Sequence, residues 1–308
     1  RDPGPSLGSR DVAEKRYLMT PGPTPVPPQV LAAMALPIVH HRSPDFKPTF
    51  KQCLDRLKEI YRTDEDVLLY TASGTAGLES VVSNLTSPGD RVVVVSAGYF
   101  GERWAAIAET YGCDLDHLRY EWGETPAADD LAARLAELDG ASAVLVTQSE
   151  TSTGVVADVR ALAAVAKEAG ALVGVDAISS LGAIPCETDE WGLDSVVSGS
   201  QKALMAPPGL SMVSVSAAAW EARTSSTAPR YYLDWERTRE AQEKLDAAFT
   251  PAVSIVIGLN VSLGLILERG LDAAFEEHVR LGRACREGVK AIGLALFSPD
   301  ADSSAVVT

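Results

Sequence analysis

The chain has 308 residues, 46% of them hydrophobic and 22% charged, the composition of an ordinary folded protein with room for about two domains or one large α/β domain with an appendage. Its 42 acidic residues outnumber 27 basic ones, and the formal charge of −15 repels phosphodiester backbones and anionic bilayers, so no nucleic acid and no membrane is expected among its partners. Four cysteines, Cys53, Cys113, Cys186 and Cys285, stand apart without a CxxC pair, which argues against a zinc site or a disulfide framework and for a reducing, cytoplasmic setting.

In chain order, the opening RDPGPSLGSRDVAEKR lacks the apolar core of a secretory signal. The Pro-rich MTPGPTPVPP (19–28) cannot form a regular helix and reads as an extended arm laid over another part of the fold. FKPTFKQCLDRLKEIYRT (46–63) then alternates apolar and charged residues at helical spacing. Beyond it come short runs rich in valine: RVVVVS (91–96), AVLVT (143–147), ALVGVD (171–176), SVVSGS (195–200) and SMVSVS (211–216). They are apolar on both faces, as strands covered on both sides must be. GERWAAIAETYG (101–112), AADDLAARLAELDG (127–140) and DVRALAAVAKEAG (158–170) lie between them with apolar stripes, the last starting at a capping Asp158 and stopping at Gly170.

Strand alternating with helix predicts an α/β fold with a mostly parallel sheet wrapped on both faces, its strand order changing at the last pair. VSIVIGLNVSLGLILERG (253–270) and LDAAFEEHVRLGRACREGVKAIG (271–293) predict two long amphipathic helices. The apolar run 255–267 falls short of the roughly 20 residues a membrane span needs and is interrupted by Asn260. We expect an N-terminal arm at 1–30, a large domain at 31–255, and linker helices with the start of a smaller α+β domain at 256–308. The closing ALFSPDADSSAVVT ends on a strand-like run with no partner, so a further C-terminal portion is expected. No internal repeat of 20–50 residues is visible.

Sheets of this kind bind ligands beyond the carboxyl ends of their strands, and three features fall there. In YTASGTAGLES (70–80), Ser73, Gly74 and Thr75 occupy a strand-to-helix turn whose free N–H groups favour a phosphate, although a plain N-cap uses the same residues. Neither GxGxxG nor GxxxxGK[ST] is present. Asp176 closes a buried run, where a carboxylate either caps the next turn or meets a buried cation. Lys202, in SGSQKALMAPPG (198–209), is the sole charged residue between Asp194 and Trp220, and apolar company depresses its pKa toward a nucleophilic amine unless it snorkels to solvent. A phosphate cradle, a buried carboxylate and an isolated lysine together match the needs of pyridoxal 5′-phosphate: an anchor for its phosphate, a partner for its ring nitrogen and an amine for its aldehyde.

These segments, with HRSPDF (41–46), SETSTG (149–154), VDAISSLG (175–182) and the Pro-rich arm, closely resemble the class V, fold-type I aminotransferases, in particular the alanine/serine-glyoxylate branch, from about residue 17 onward. The resemblance implies a seven-stranded, mostly parallel sheet and a homodimer with shared sites. It implies Lys202 as Schiff-base lysine and later proton shuttle, and Asp176 as ring-nitrogen partner. Further cofactor contacts follow: Gln201 and the loop Ser73, Gly74 and Thr75 to the phosphate, Phe100 and Ile178 on the two ring faces, and Thr151 to the phenolic oxygen. Thr250 would reach the phosphate of the neighbouring subunit.

Two departures stand out. Ala247 occupies a position where some relatives have tyrosine, and the family's substrate-carboxylate arginine falls beyond residue 308. The implied reaction is ping-pong transfer of an amino group from serine or alanine to glyoxylate or pyruvate. Two rivals share the fold: a lyase of the cysteine-desulfurase kind, for which none of the four cysteines has the right context, and a non-catalytic partner protein, since some relatives carry hydrogenase-subunit labels. His40, His41, His117 and His278 have no metal-ligand spacing and read as surface or helix residues, so no metal is expected. Trp122, Trp191 and Trp235 read as packing anchors.

Overall fold

A computed structural model of the chain describes residues 18–300 and 306–307. The first part of the expected arm, 1–17, and most of the strand-like tail lie outside the described residues. The elements run α1 (Pro28–Met34), α2 (Lys47–Tyr61), β1 (Asp66–Tyr70), α3 (Gly74–Leu85), β2 (Arg91–Ser96), α4 (Tyr99–Thr110), β3 (Asp114–Arg119), α5 (Ala128–Glu137) and β4 (Ala143–Thr147). They continue with the short β5 (Ser149–Glu150) and β6 (Val155–Val156), then α6 (Val159–Glu168), β7 (Leu172–Asp176), β8 (Ser195–Gly199), β9 (Ser211–Val215), α7 (Ala217–Ser225), α8 (Trp235–Glu243), α9 (Val253–Arg269) and α10 (Leu271–Ala291).

Seven strands form one sheet in the order β1-β9-β8-β7-β4-β2-β3. Pairs from β8 across to β3 are parallel, and β9 runs antiparallel to both β8 and β1. The reversal at the last pair of strands is therefore where the sequence places it, across the lysine segment. The valine runs pick out five of the seven strands. β3 escapes because it is an edge strand with a half-exposed, charge-rich sequence, and β1 because its five residues form the opposite edge with only partial burial.

The period of two along each strand divides the core. Val93, Val95, Val144, Val146, Val173 and Val175 pack on the side of α2, α5, α6 and α9, while Val92, Val94, Leu145, Val197 and Val213 pack on the side of α3 and α4. Both faces are covered, which is why the runs read as continuously apolar. α3 lies close on the sheet: a Cβ on Gly77 would sit 2.5 Å from Val197 Cγ1, so this contact requires glycine. Asp158 caps α6 as expected, its Oδ1 accepting from Ala161 N at 3.0 Å.

The apolar run around 255–267 is a core helix. Val256, Leu259, Leu263 and Ile266 of α9 are buried in the cluster that contains Phe50, Cys53 and Leu57 of α2. No single helix among the described residues is long and apolar enough to cross a membrane. Asn260, the residue that interrupts the run, accepts from Arg56 Nη1 through both its backbone oxygen (2.6 Å) and Oδ1 (2.8 Å), and donates to Gln52 Oε1 at 2.9 Å. Asn260→Leu makes the segment more apolar yet removes a side-chain acceptor from the half-buried guanidinium. We expect it to lower stability by about 1–3 kcal/mol in urea unfolding, and an unchanged or raised midpoint would contradict this account of α9.

Candidate active site

The carboxyl ends of β4, β7 and β8 lie side by side, with Thr147 opposite Asp176 and Asp176 opposite Val197 in the register. Asp176 is thus the last residue of a central strand, and Lys202 stands three residues beyond the end of the neighbouring strand β8. Asp176 is 4% exposed, and its Oδ1 accepts from Ile178 N at 2.9 Å. Burial pushes its carboxyl up to about 7, helped by the charge of Glu150 and opposed by the Ile178 N–H, Arg103 and Lys202. Lys202 is half-buried, and its pKa is lowered chiefly by loss of solvent and further by Arg103, against the pull of Asp176. The capping reading of Asp176 is the one its hydrogen bond shows; toward Lys202 it has electrostatic attraction without an ion pair among the described residues.

The Pro-rich arm covers this lysine. Thr24 N donates to Gln201 O at 3.0 Å, and Thr24 Oγ1 donates to Lys202 O at 2.8 Å. A Cβ on Gly22 would fall 2.5 Å from Lys202 Cδ and 2.9 Å from Nζ, so a larger residue here would displace the end of the lysine side chain. Gln201, next to the lysine, has a buried Oε1 with no partner among the described residues.

Three further loops converge here. Ser73 is the N-cap residue of α3, but its side chain makes no capping bond, so the helix start keeps its donors free of an internal side-chain acceptor. Gly74 abuts Ile178 closely enough that a Cβ would collide with that side chain. Thr151 Oγ1 and Ser179 Oγ lie 2.6 Å apart. Phe100, in the first turn of α4, has the guanidinium of Arg103 4.7 Å from its ring centroid, and Arg103 Nη1 donates to Thr75 Oγ1 at 3.0 Å. Ser73, Gly74, Thr75, Phe100, Thr151, Asp176, Ile178, Gln201 and Lys202 therefore share one end of the sheet. Thr250 is exposed just ahead of α9 and makes no hydrogen bond to these nine among the described residues.

Two residues passed over in the sequence belong to this assembly. Glu150, 3% exposed, accepts from Phe100 N (3.0 Å) and Gly101 N (3.1 Å) through Oε2, and from Ser152 N (3.0 Å) and Oγ (2.6 Å) through Oε1. It acts as a capping anion for α4 supplied from another loop, a long-range pairing that local spacing does not reveal. Arg103 is the second; its place three residues after Phe100, on the same helical face, was the available signal.

Other expectations need correction. His117 is neither on the surface nor in a helix: it lies on β3 with an 8% exposed side chain near Glu102, and burial lowers its pKa. Trp235 is fully buried and Trp191 partly so, but Trp122 is 51% exposed and anchors little.

The raised carboxyl of Asp176 has a consequence for the cofactor-free protein. Its folded value of about 7 exceeds the ordinary 3.8, so the folded chain keeps a proton that the unfolded chain releases. The associated stability is complete below pH 3.8 and is lost as pH rises through 7, a change on the order of 4 kcal/mol. Asp176→Asn should therefore stabilise the cofactor-free protein relative to wild type at pH 8 and much less at pH 4, as read by urea unfolding at both values. A constant difference between the two proteins would place Asp176 in a more solvated setting.

A profile of the aminotransferase class-V family matches residues 16–308. The chain is 42% identical over 298 residues to the soluble hydrogenase 42 kDa subunit of Anabaena cylindrica, covering 96% of this chain and 78% of that one. It is 34% identical over 304 residues to a serine–glyoxylate aminotransferase of Methylorubrum extorquens, covering 95% and 76%. The crystal structure of a subgroup IV aspartate aminotransferase from Thermus thermophilus superposes with a TM-score of 0.88 at 36% identity, over 94% of this chain and 81% of that one. With the family profile running through the arm, the sheet and the converging loops alike, the chain belongs to the class-V aminotransferases, enzymes that work with pyridoxal 5′-phosphate.

Proposed function

We propose that this chain is a ping-pong transaminase that takes an amino group from a small amino acid, serine or alanine, and passes it to a small 2-oxo acid, glyoxylate or pyruvate. The observation that carries the reading is the pairing of a buried carboxylate and a half-buried amine, Asp176 and Lys202, at the ends of adjacent parallel strands. Two features fit the cofactor: the start of α3 without a side-chain cap and a lysine of depressed pKa; Gln201, beside that lysine, carries an amide NH2 able to donate to a phosphate. When bound, pyridoxal 5′-phosphate supplies an aldehyde reactive toward amines and an electron-withdrawing ring.

In this reading each side chain has a task. Lys202, whose pKa is lowered by loss of solvent, would hold the cofactor aldehyde through its amine and would carry the proton to and from the substrate α-carbon. Asp176 would hold the ring nitrogen in its protonated form, Phe100 and Ile178 would confine the ring, Thr151 would meet its hydroxyl oxygen, and Ser73, Gly74, Thr75 and Gln201 would take the phosphate. A cavity of about 310 Å³ lined by Pro21, Thr151, Ser152 and Phe297 lies beside these groups and suits a small substrate better than a large one.

Thr250 serves the phosphate only if a second subunit brings it there, so the working unit is a homodimer. Its surroundings support this: Tyr231 is 66% exposed, and Phe249 stacks on the partly exposed Tyr232 at 4.8 Å between ring centroids. The lyase alternative is less favoured. Cys53 and Cys186 are buried with thiols pushed up to about 12, and Cys285 is on the exposed face of α10 rather than in a loop. A purely non-catalytic role, suggested by the name of the Anabaena relative, leaves the intact trio Asp176, Gln201 and Lys202 unexplained.

Cofactor-loaded wild type should absorb in the visible through its lysine linkage, and Lys202→Ala should lose that band and all transamination. Serine or alanine should bleach the band without any oxo acid, and glyoxylate or pyruvate should then restore it. Release of sulfide from cysteine with no acceptor present would overturn the transaminase assignment. Equilibrium sedimentation should return twice the chain mass, and a monomer active at full rate would remove Thr250 from the site.

A further inference from the structure

The phosphate subsite described above is built from uncharged residues. Ser73, Gly74, Thr75, Gln201 and Thr250 bring hydroxyls, amides and one helix dipole worth about half a charge, whereas a phosphomonoester carries about −1.5 to −2 at neutral pH. Lys202 is committed to the aldehyde. Two buried carboxylates, Asp176 and Glu150, add negative charge nearby. An anion in such a place calls for a cation, and Arg103 is in position.

Arg103 is half-buried on α4 and has no carboxylate within ion-pair distance among the described residues. Glu150, a buried carboxylate at this end of the sheet, already accepts from the start of α4 and from Ser152. The guanidinium instead lies over Phe100 and donates to Thr75 Oγ1, in the first turn of α3. It has further N–H donors left for an anion at that helix start. Its charge also reaches Asp176 and Lys202, which fixes it on the cleft side of α4 rather than on the outer surface.

We propose that Arg103 is a cofactor-binding residue whose guanidinium, steadied by Phe100 and Thr75, forms the cationic wall of the phosphate subsite. This inference rests on the pyridoxal 5′-phosphate reading of the site. Arg103 would act on the phosphate by direct contact and on Asp176 and Lys202 only through its more distant charge, so its loss should be felt far more by a ligand that carries a phosphate than by one that lacks it.

The experiment compares pyridoxal 5′-phosphate with pyridoxal, which has the same aldehyde and ring but no phosphate. Cofactor-free wild type, Arg103→Lys and Arg103→Gln are titrated with each, following the visible band and tryptophan quenching, with thermal melts as a check on folding. Arg103→Gln should weaken pyridoxal 5′-phosphate about 10- to 100-fold, the range of a charge-assisted hydrogen bond, with pyridoxal changed less than about twofold. Arg103→Lys should fall between, and inorganic phosphate should compete less well in the Gln variant than in wild type. Equal losses for both ligands would assign Arg103 to the ring or to folding, and no loss for either would give it no role; each result overturns the proposal while sparing the site. Wild type that forms no lysine linkage with either ligand would overturn the site reading and this inference together.

Discussion

An acid and an amine held close together out of water set the terms for the rest of this molecule. Asp176 and Lys202 attract one another, but at both groups the loss of solvent outweighs that attraction, so the carboxyl is pushed up and the amine down. Left to themselves they make a poor ion pair. In the proposed reading, a guest with a basic ring nitrogen for one and an aldehyde for the other would relieve both penalties, because the carboxylate would gain a charged donor and the amine is wanted uncharged. The unfavourable electrostatics of this pair would then be a source of affinity for one kind of molecule.

Keeping the two groups in register falls to the sheet and the arm. β7 and β8 are parallel neighbours with Asp176 opposite Val197, so the residues after both strands emerge at the same end. The chain then turns back through 200–210 into the antiparallel β9, which fixes Lys202 inside a short connection rather than in a long crossover. The arm closes this connection from above through Thr24 and Gly22. An extended segment that carries few donors of its own still lies in register here because the lysine loop offers the backbone carbonyls of Gln201 and Lys202 to it.

Most of this was legible in the amino acids. Runs such as RVVVVS announce strands buried on both faces, and the isolation of Lys202 among uncharged residues announces a lysine withdrawn from open solvent, half-buried as the structure has it. What escaped is what depends on tertiary partners. β3 looks like a polar surface segment until β2 pairs with it, and His117 is buried only because α4 lies over the edge strand. Glu150 sits in a quoted motif, yet its task is to hold backbone N–H groups fifty residues away. Arg103 reads as one charge on an amphipathic helix; its spacing from Phe100 gives the shared helical face but not the contact with Thr75 on another helix.

The two helices that point their starts at the cleft are treated in opposite ways, and the difference is informative. Each exposes unsatisfied N–H groups and a positive dipole end, and each would bind an anion. At α4 the anion is built in: Glu150 is supplied by the loop after β4 and takes the Phe100 and Gly101 donors. At α3 the N-cap side chain of Ser73 makes no such bond, and the groups around it are hydroxyls and a guanidinium rather than carboxylates. A chain of net charge −15 repels anions at long range, but beyond about 8–10 Å that repulsion is screened in physiological salt, and within it local donors decide. Under the proposed assignment, one helix start satisfied from within and a neighbour that keeps its donors would make a single address for a phosphate, fixed relative to Asp176 and Lys202 by the strands that carry them.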